Sequence, residues 1–127
     1  MTRHTLALVR LLQLASPTLP VGAYSYSQGL EAAAEAGLVK DAASAERWIA
    51  DVFELCVAGM EAPVAWRLLR AWADDDRAAV ARWNDEFLAS RETAELRAET
   101  VQMGYSLRRL ARELGIPGVA ALDGFAE

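Results

Sequence analysis

The sequence predicts an all-α fold, a single bundle-like helical domain of about six helices. Three observations predict it. Alanine fills 26 of the 127 positions and leucine 17, and both enter helices at little backbone or rotamer cost. Only four prolines and eight glycines interrupt them. Apolar residues recur at three-and-four spacing along most of the chain, and no segment alternates strictly as a half-buried strand does. With no repeat, linker or low-complexity tract, residues 1–127 read as one domain.

The elements follow in order. Thr5–Ala15 carries Leu8, Leu11, Leu12 and Ala15 on one stripe and is stopped by Ser16-Pro17, because a residue before proline is pushed out of the α region. The stretch from Ser16 to Gly29 is the most unusual in the chain: two prolines, two glycines, two tyrosines and small hydroxyl residues, the composition of an ordered loop. A helix is expected from about Ser25 to Ala36, with Gly37 at its C-terminal stop. Asp41 or Ser44 caps the next helix, whose apolar positions are Ala45, Trp48, Ile49, Val52, Phe53 and Cys56 and whose end is expected near Gly59. Pro63 suits the first turn of a helix with Val64, Trp66, Leu68, Leu69 and Trp72. Asp74-Asp75-Asp76 closes it and caps a helix that buries Val80, Trp83 and Phe87. A last long helix runs from about Arg91 to Leu114 and ends at Gly115-Ile116-Pro117-Gly118.

That long helix has two apolar rows, Ala94, Ala98, Val101 and Tyr105 on one side and Met103, Leu107, Leu110 and Leu114 on the other. Such a helix is central in a bundle or meets a partner chain as well as its own. Gly104 in its middle costs about 1 kcal/mol relative to alanine, so close approach of a neighbouring helix is the expected reason for it. The four tryptophans, Trp48, Trp66, Trp72 and Trp83, sit at helical spacing with other apolar residues and are expected to pack in the core.

Composition excludes more chemistry than it suggests. One cysteine, Cys56, and one histidine, His4, can build neither a disulfide framework nor a structural zinc site within one chain. A net charge of −5 and a pI near 4.9 lack the basic footprint of a nucleic-acid binder. Arg108, Arg109 and Arg112 form a local basic edge, read as complementing the helix dipole before an acidic partner or nucleic acid is invoked. Glu31 and Glu35, and Glu92, Glu95 and Glu99, have the spacing of solvated helix faces rather than of an acid/base pair. No phosphate-loop motif is present around Gly22 and Gly29. The apolar run from Leu6 to Ala15 is broken by Arg10 and Gln13, too short for a span and without the form of a signal peptide, so a soluble, cytoplasmic protein is expected. No catalytic residue, metal ligand or cofactor is assigned. Tyrosines in an ordered loop are apt interface anchors, so the stretch from Ser16 to Gly29 reads equally as a recognition loop or as a rigid structural turn.

Two blocks carry a resemblance. Leu12 to Glu31, with Ser16-Pro17-Thr18-Leu19-Pro20-Val21-Gly22-Ala23-Tyr24-Ser25-Tyr26-Ser27-Gln28-Gly29 at its heart, closely resembles the N-terminal signature of the urease accessory proteins of the UreF family. Ser90-Arg91-Glu92 through Arg97-Ala98-Glu99-Thr100-Val101-Gln102-Met103-Gly104-Tyr105-Ser106-Leu107 resembles that family's central long-helix motif. The resemblance implies an all-α, non-enzymatic chaperone that joins UreD (UreH in some organisms), recruits the GTPase UreG, and assists nickel delivery to apo-urease. It also implies a homodimer made through helices. Family members are longer, which implies helices beyond Glu127 and a C-terminal tail that this chain lacks. The partner-binding candidates it implies are Pro17, Pro20, Gly22, Tyr24, Ser25, Tyr26 and Gly29 in the loop, and Arg91, Glu92, Gln102, Met103, Gly104 and Tyr105 on the long helix. The alternative is direct regulation of UreG turnover by an arginine such as Arg97 or Arg108 reaching the nucleotide.

Overall fold

In the computed structural model of the chain, helix follows helix: α1 (Arg3–Leu14), α2 (Leu30–Glu35), α3 (Ala42–Val52), a π-helical segment (Phe53–Glu61), α4 (Ala62–Ala73), α5 (Arg77–Ala89), α6 (Ala94–Glu113) and a short 3-10 turn (Val119–Gly124). The structure describes residues 2–23 and 26–125, with Arg3 in its backbone only. Among these residues there is no strand, and the all-α expectation holds. The chain divides into two units, Met1–Tyr26 with Ala98–Glu127, and Ser27–Arg97.

The helix ends follow local chemistry closely. Thr2 caps α1, its hydroxyl accepting the Thr5 amide at 3.3 Å. Gly37 (φ +72°) closes α2: its amide bonds Ala34 O at 3.0 Å and the Leu38 amide bonds Ala33 O at 2.8 Å, the paired bonds of a Schellman stop. The same pair closes α6 at Gly115, with Gly115 N to Arg112 O and Ile116 N to Ala111 O. After α4 this position is taken by Asp75, held at φ +52°, while Asp76 accepts the Ala79 amide at 2.9 Å and caps α5. The left-handed region disfavours a side chain there, so Asp75→Gly is expected to raise the melting stability of this unit by about 0.5–1 kcal/mol. An unchanged thermal midpoint would contradict that.

Asp41 and Ser44 cap α3 together. The Asp41 carboxylate accepts the Ser44 amide at 2.8 Å and the Ser44 hydroxyl at 2.7 Å, and the Asp41 amide donates back to Ser44 Oγ at 3.0 Å. The Ser44 hydroxyl, then its amide, hold the Asp41 carboxyl below its ordinary value of 3.8. The folded state therefore favours the ionised cap. Its contribution is complete above the unfolded pKa and disappears as pH falls through the lowered folded value. The stability advantage of wild type over Asp41→Asn, followed by circular dichroism in urea, is expected to be constant near neutrality and to shrink below about pH 4.

Three sequence expectations are corrected. The second helix starts at Leu30, because Gln28 and Gly29 lie at φ +50° and +85°, a pair no right-handed helix accommodates; its expected start at Ser25 lies outside the described residues. The third helix does not stop near Gly59. It continues through the π-helical winding into α4, so Ala42–Ala73 is one unbroken helical run. Gly59 is helical and does not turn the chain: a Cβ there would stand 3.2 Å from the Glu54 carbonyl, five residues back, a closeness that the wider π winding creates. Pro63 sits in the first turn of α4, where its fixed φ suits a helix. Third, Trp66 is not in the core but 63% exposed, while Trp48, Trp72 and Trp83 are partly buried. On α3 and the π-helical segment, Ile49 and Phe53, at 57% and 61% exposed, line one groove with the partly buried Leu30, Trp48, Val52 and Val57, and Cys56 is exposed too. Periodicity places these side chains on one face; it does not say whether that face is covered.

Within the Ser27–Arg97 unit, α4 and α5 form a helical hairpin around Val64, Ala71 and Val80, all buried. Trp83 takes the Arg67 guanidinium over its ring at 4.9 Å, and Trp72 takes that of Arg77 at 6.0 Å. In the other unit, Val21 and Val119 are the buried apolar residues among those described.

Candidate partner-binding site

The loop after α1 organises itself. Ala15 ends the helix, Ser16 Oγ accepts the Thr18 amide at 3.2 Å and pairs with the Thr18 hydroxyl at 2.8 Å, and Leu19 N bonds Ser16 O at 3.1 Å. These are the local turn bonds that serine and threonine offer where proline has stopped a helix. Val21 then bonds Leu19 O at 2.8 Å and buries its side chain, which pins the loop, while Pro17, Pro20 and Gly22 stay exposed. Gly22 sits at φ +85°, a turn only glycine makes without strain. Tyr26 is half-buried and its amide bonds Ala23 O at 3.3 Å. Tyr24 and Ser25 lie outside the described residues.

On α6, which Thr93 caps by accepting the Leu96 amide at 3.1 Å, no residue is buried. The expectation of a central helix is therefore corrected: both apolar rows remain at least partly open. Tyr105 is 48% exposed, and nothing lies within 4 Å of a Cβ placed on Gly104, so no neighbouring helix among the described residues explains that glycine.

One groove joins the two sequence blocks. Pro20 from the loop meets Gln102, Tyr105, Ser106, Arg109, Leu110 and Glu113 of α6 around a space of about 240 Å³. Gln102 donates to the Ser106 hydroxyl at 3.2 Å, and Arg109 pairs with Glu113 at 3.0 Å along one wall. Three of the residues singled out by resemblance, Pro20, Gln102 and Tyr105, thus share a site, with Met103 and Gly104 on the same stretch of helix. Ser106, Arg109 and Glu113 are further lining residues that the motif does not single out; the available signal is i,i+4 spacing, of Ser106 from Gln102, of Arg109 from Tyr105 and of Glu113 from Arg109.

Gly29, Arg91 and Glu92 belong to the Ser27–Arg97 unit. Gly29 precedes α2 in a left-handed conformation, and a Cβ on it would stand 3.6 Å from the Trp48 ring. Arg91 turns inward. Its Nη1 meets Glu61 Oε1 at 2.8 Å, its guanidinium lies 4.4 Å from the Phe87 ring centre, and Ser90 Oγ accepts from it at 3.3–3.4 Å. Arg97 donates to the Arg91 carbonyl at 3.0 Å. Glu92 is exposed.

The basic edge at the end of α6 is largely answered by carboxylates: Arg109 by Glu113, Arg112 by Asp123. No group of three or more His, Cys, Asp or Glu placed to hold a metal ion occurs among the described residues. No helix among them is long and apolar enough to cross a membrane.

The comparisons with known proteins give the family. The sequence profile described as UreF matches residues 39–123, taking in the long-helix block. The chain belongs to the UreF family. It is 66% identical to the urease accessory protein UreF of Azoarcus sp. (strain BH72), in an alignment covering 93% of this chain and 54% of that protein. The protein of the same description from Janthinobacterium sp. (strain Marseille) is 62% identical, over 85% of this chain and 48% of its own length. That of Dechloromonas aromatica (strain RCB) is 57% identical, over 96% and 54%. The chain spans about half the length of these curated relatives.

Proposed function

We propose that this chain acts in urease maturation as a helical scaffold that works through protein contacts and catalyses nothing itself. Its partners on this reading are UreD/UreH, the GTPase UreG and apo-urease, the outcome is nickel insertion, and the setting is the cytoplasm. Residues 1–127 serve as one UreF-like domain and pair as a homodimer through helices. The observation that carries the reading is the family match joined to the Pro20–Tyr105 groove, where the two blocks that carry the resemblance meet on an open surface. On the same reading Pro17, Gly22, Tyr24, Ser25 and Tyr26 of the loop and Gln102, Met103 and Gly104 of α6 are contact residues as well, and Gly29, Arg91 and Glu92 are contact candidates of the Ser27–Arg97 unit taken by itself.

Direct control of UreG turnover is the less favoured alternative. It needs an arginine free to reach a nucleotide, whereas Arg97 already donates to the Arg91 carbonyl and Arg108 is also engaged. The test is co-elution of the chain with UreD, UreG and both together, with and without GTP and nickel. An assembly containing all three proteins is expected. Failure to bind either, by a chain still helical in circular dichroism, overturns the reading for this part of the family fold.

A further inference from the structure

Pro63 opens α4, yet the helical run Ala42–Ala73 is unbroken, so along that run it is an interior proline. An interior proline gives no amide to the carbonyl four residues back, and its ring clashes with that carbonyl. Here the carbonyl belongs to Gly59, inside the π-helical segment Phe53–Glu61. The winding of that segment answers the clash. Its bonds reach five residues back, as from the Ala62 amide to the Val57 carbonyl, and a wider turn moves the carbonyls before a proline clear of the ring.

Neither α3 nor the π-helical segment buries a side chain, and Phe53 and Leu55 are 61% and 72% exposed. The other side of the proline is well held. Val64, Ala71 and Val80 are buried in the α4–α5 hairpin. The Pro63 carbonyl accepts from Arg67 Nη1 at 3.3 Å, and Glu61, the last residue of the wide winding, meets Arg91 Nη1 at 2.8 Å. A stretch with little buried apolar surface lies at the low end of local stability, and this one joins α3 to a fixed hairpin.

We propose that Phe53–Glu61 with Pro63 is a hinge of two windings, which presents α3, with Trp48 and Ile49, in two orientations to the same α4–α5 hairpin. The wide winding clears the proline. The α winding restores four-residue bonds to the other residues and accepts the kink that proline imposes. A wide turn holds one residue more than an α turn, so exchange of one such turn rotates α3 by about 100° and carries its side chains through about 8 Å. Gly59 belongs to the device: a Cβ there would stand 3.2 Å from the Glu54 carbonyl, so alanine crowds the wide winding while it favours the α one. The hinge is independent of the urease reading, because it involves no partner.

The test is a distance measurement by electron paramagnetic resonance on the full chain. The exposed Cys56 is replaced by serine, and spin labels are carried by Glu46→Cys on α3 and Glu86→Cys on α5, both exposed positions. Labelled chain is diluted in unlabelled chain, so that only distances within one molecule are read. Two populations several ångström apart are expected in this background. Pro63→Ala and Gly59→Ala are each expected to leave one, at the same distance in both. Amides of Phe53–Glu61 are expected to exchange with deuterium about tenfold faster in the unsubstituted chain than in Pro63→Ala. A single narrow distance in the background overturns the hinge. So do two populations unchanged in both variants, single populations at different distances in the two, or exchange in Phe53–Glu61 as slow as in the α4–α5 hairpin. That last comparison needs no variant and decides the matter if neither substituted chain folds.

Discussion

Arg91→Ala is expected to destabilise the Ser27–Arg97 unit by about 2 kcal/mol, read as a lowered urea midpoint in circular dichroism. Arg91 closes the unit on itself: its side chain is 14% exposed, and it meets Glu61 at the end of the π-helical segment, the Phe87 ring and the Ser90 hydroxyl at the end of α5. Glu61 is 33% exposed on its side chain, so water softens the loss of its partner, and the figure stays below that for a fully buried pair. Arg91→Lys is expected to recover only part of the loss, because an ammonium cannot both fork to two acceptors and stack flat on Phe87. Glu61→Gln, and the double variant with Arg91→Ala, isolate the pair. If Arg91→Ala leaves the midpoint unchanged yet weakens partner binding, Arg91 acts as a contact residue instead, the role its place in the family motif implies.

Tyr105→Ala is expected to do the reverse, weakening assembly with UreD and UreG by about 2 kcal/mol while altering stability little. At 48% exposure it has a ring half free to meet a partner, and it stands where loop and long helix make a common groove with Pro20 and Gln102. Tyr105→Phe tells whether the ring or the hydroxyl carries the contact. Titration calorimetry gives the affinity and circular dichroism the fold. Wild-type affinity in a folded Tyr105→Ala variant removes this residue from the proposed surface.

These two residues mark how much of the site was legible in the chain. Both lie in one motif, and resemblance alone treats them alike. The structure separates them, because Glu61 lies thirty residues before Arg91 and no local pattern pairs two such charges. The groove was legible in its parts, the loop block and the Gln102–Tyr105 turn, but not as one place.

Most of the helices and several of their ends could be read directly from the residues. Asp41, one of the two cap candidates, caps α3 with Ser44 bonding back, Gly37 and Gly115 stop their helices, and Asp76 begins α5 as the aspartate run suggested. Such features depend on bonds between residues three to five apart, which sequence displays in full. The family, too, is carried by residues in order. Tertiary structure alone decided which apolar faces are covered. Trp66 and Trp83 obey the same helical spacing, yet Trp83 is partly buried between elements and receives Arg67, while Trp66 faces outward. It alone decided that α6 buries none of its residues, and that Gly59 continues a helix rather than ending one. Periodicity determines the side of a helix on which a residue lies; burial requires another element to cover that side, and that is a property of packing between segments distant in the chain.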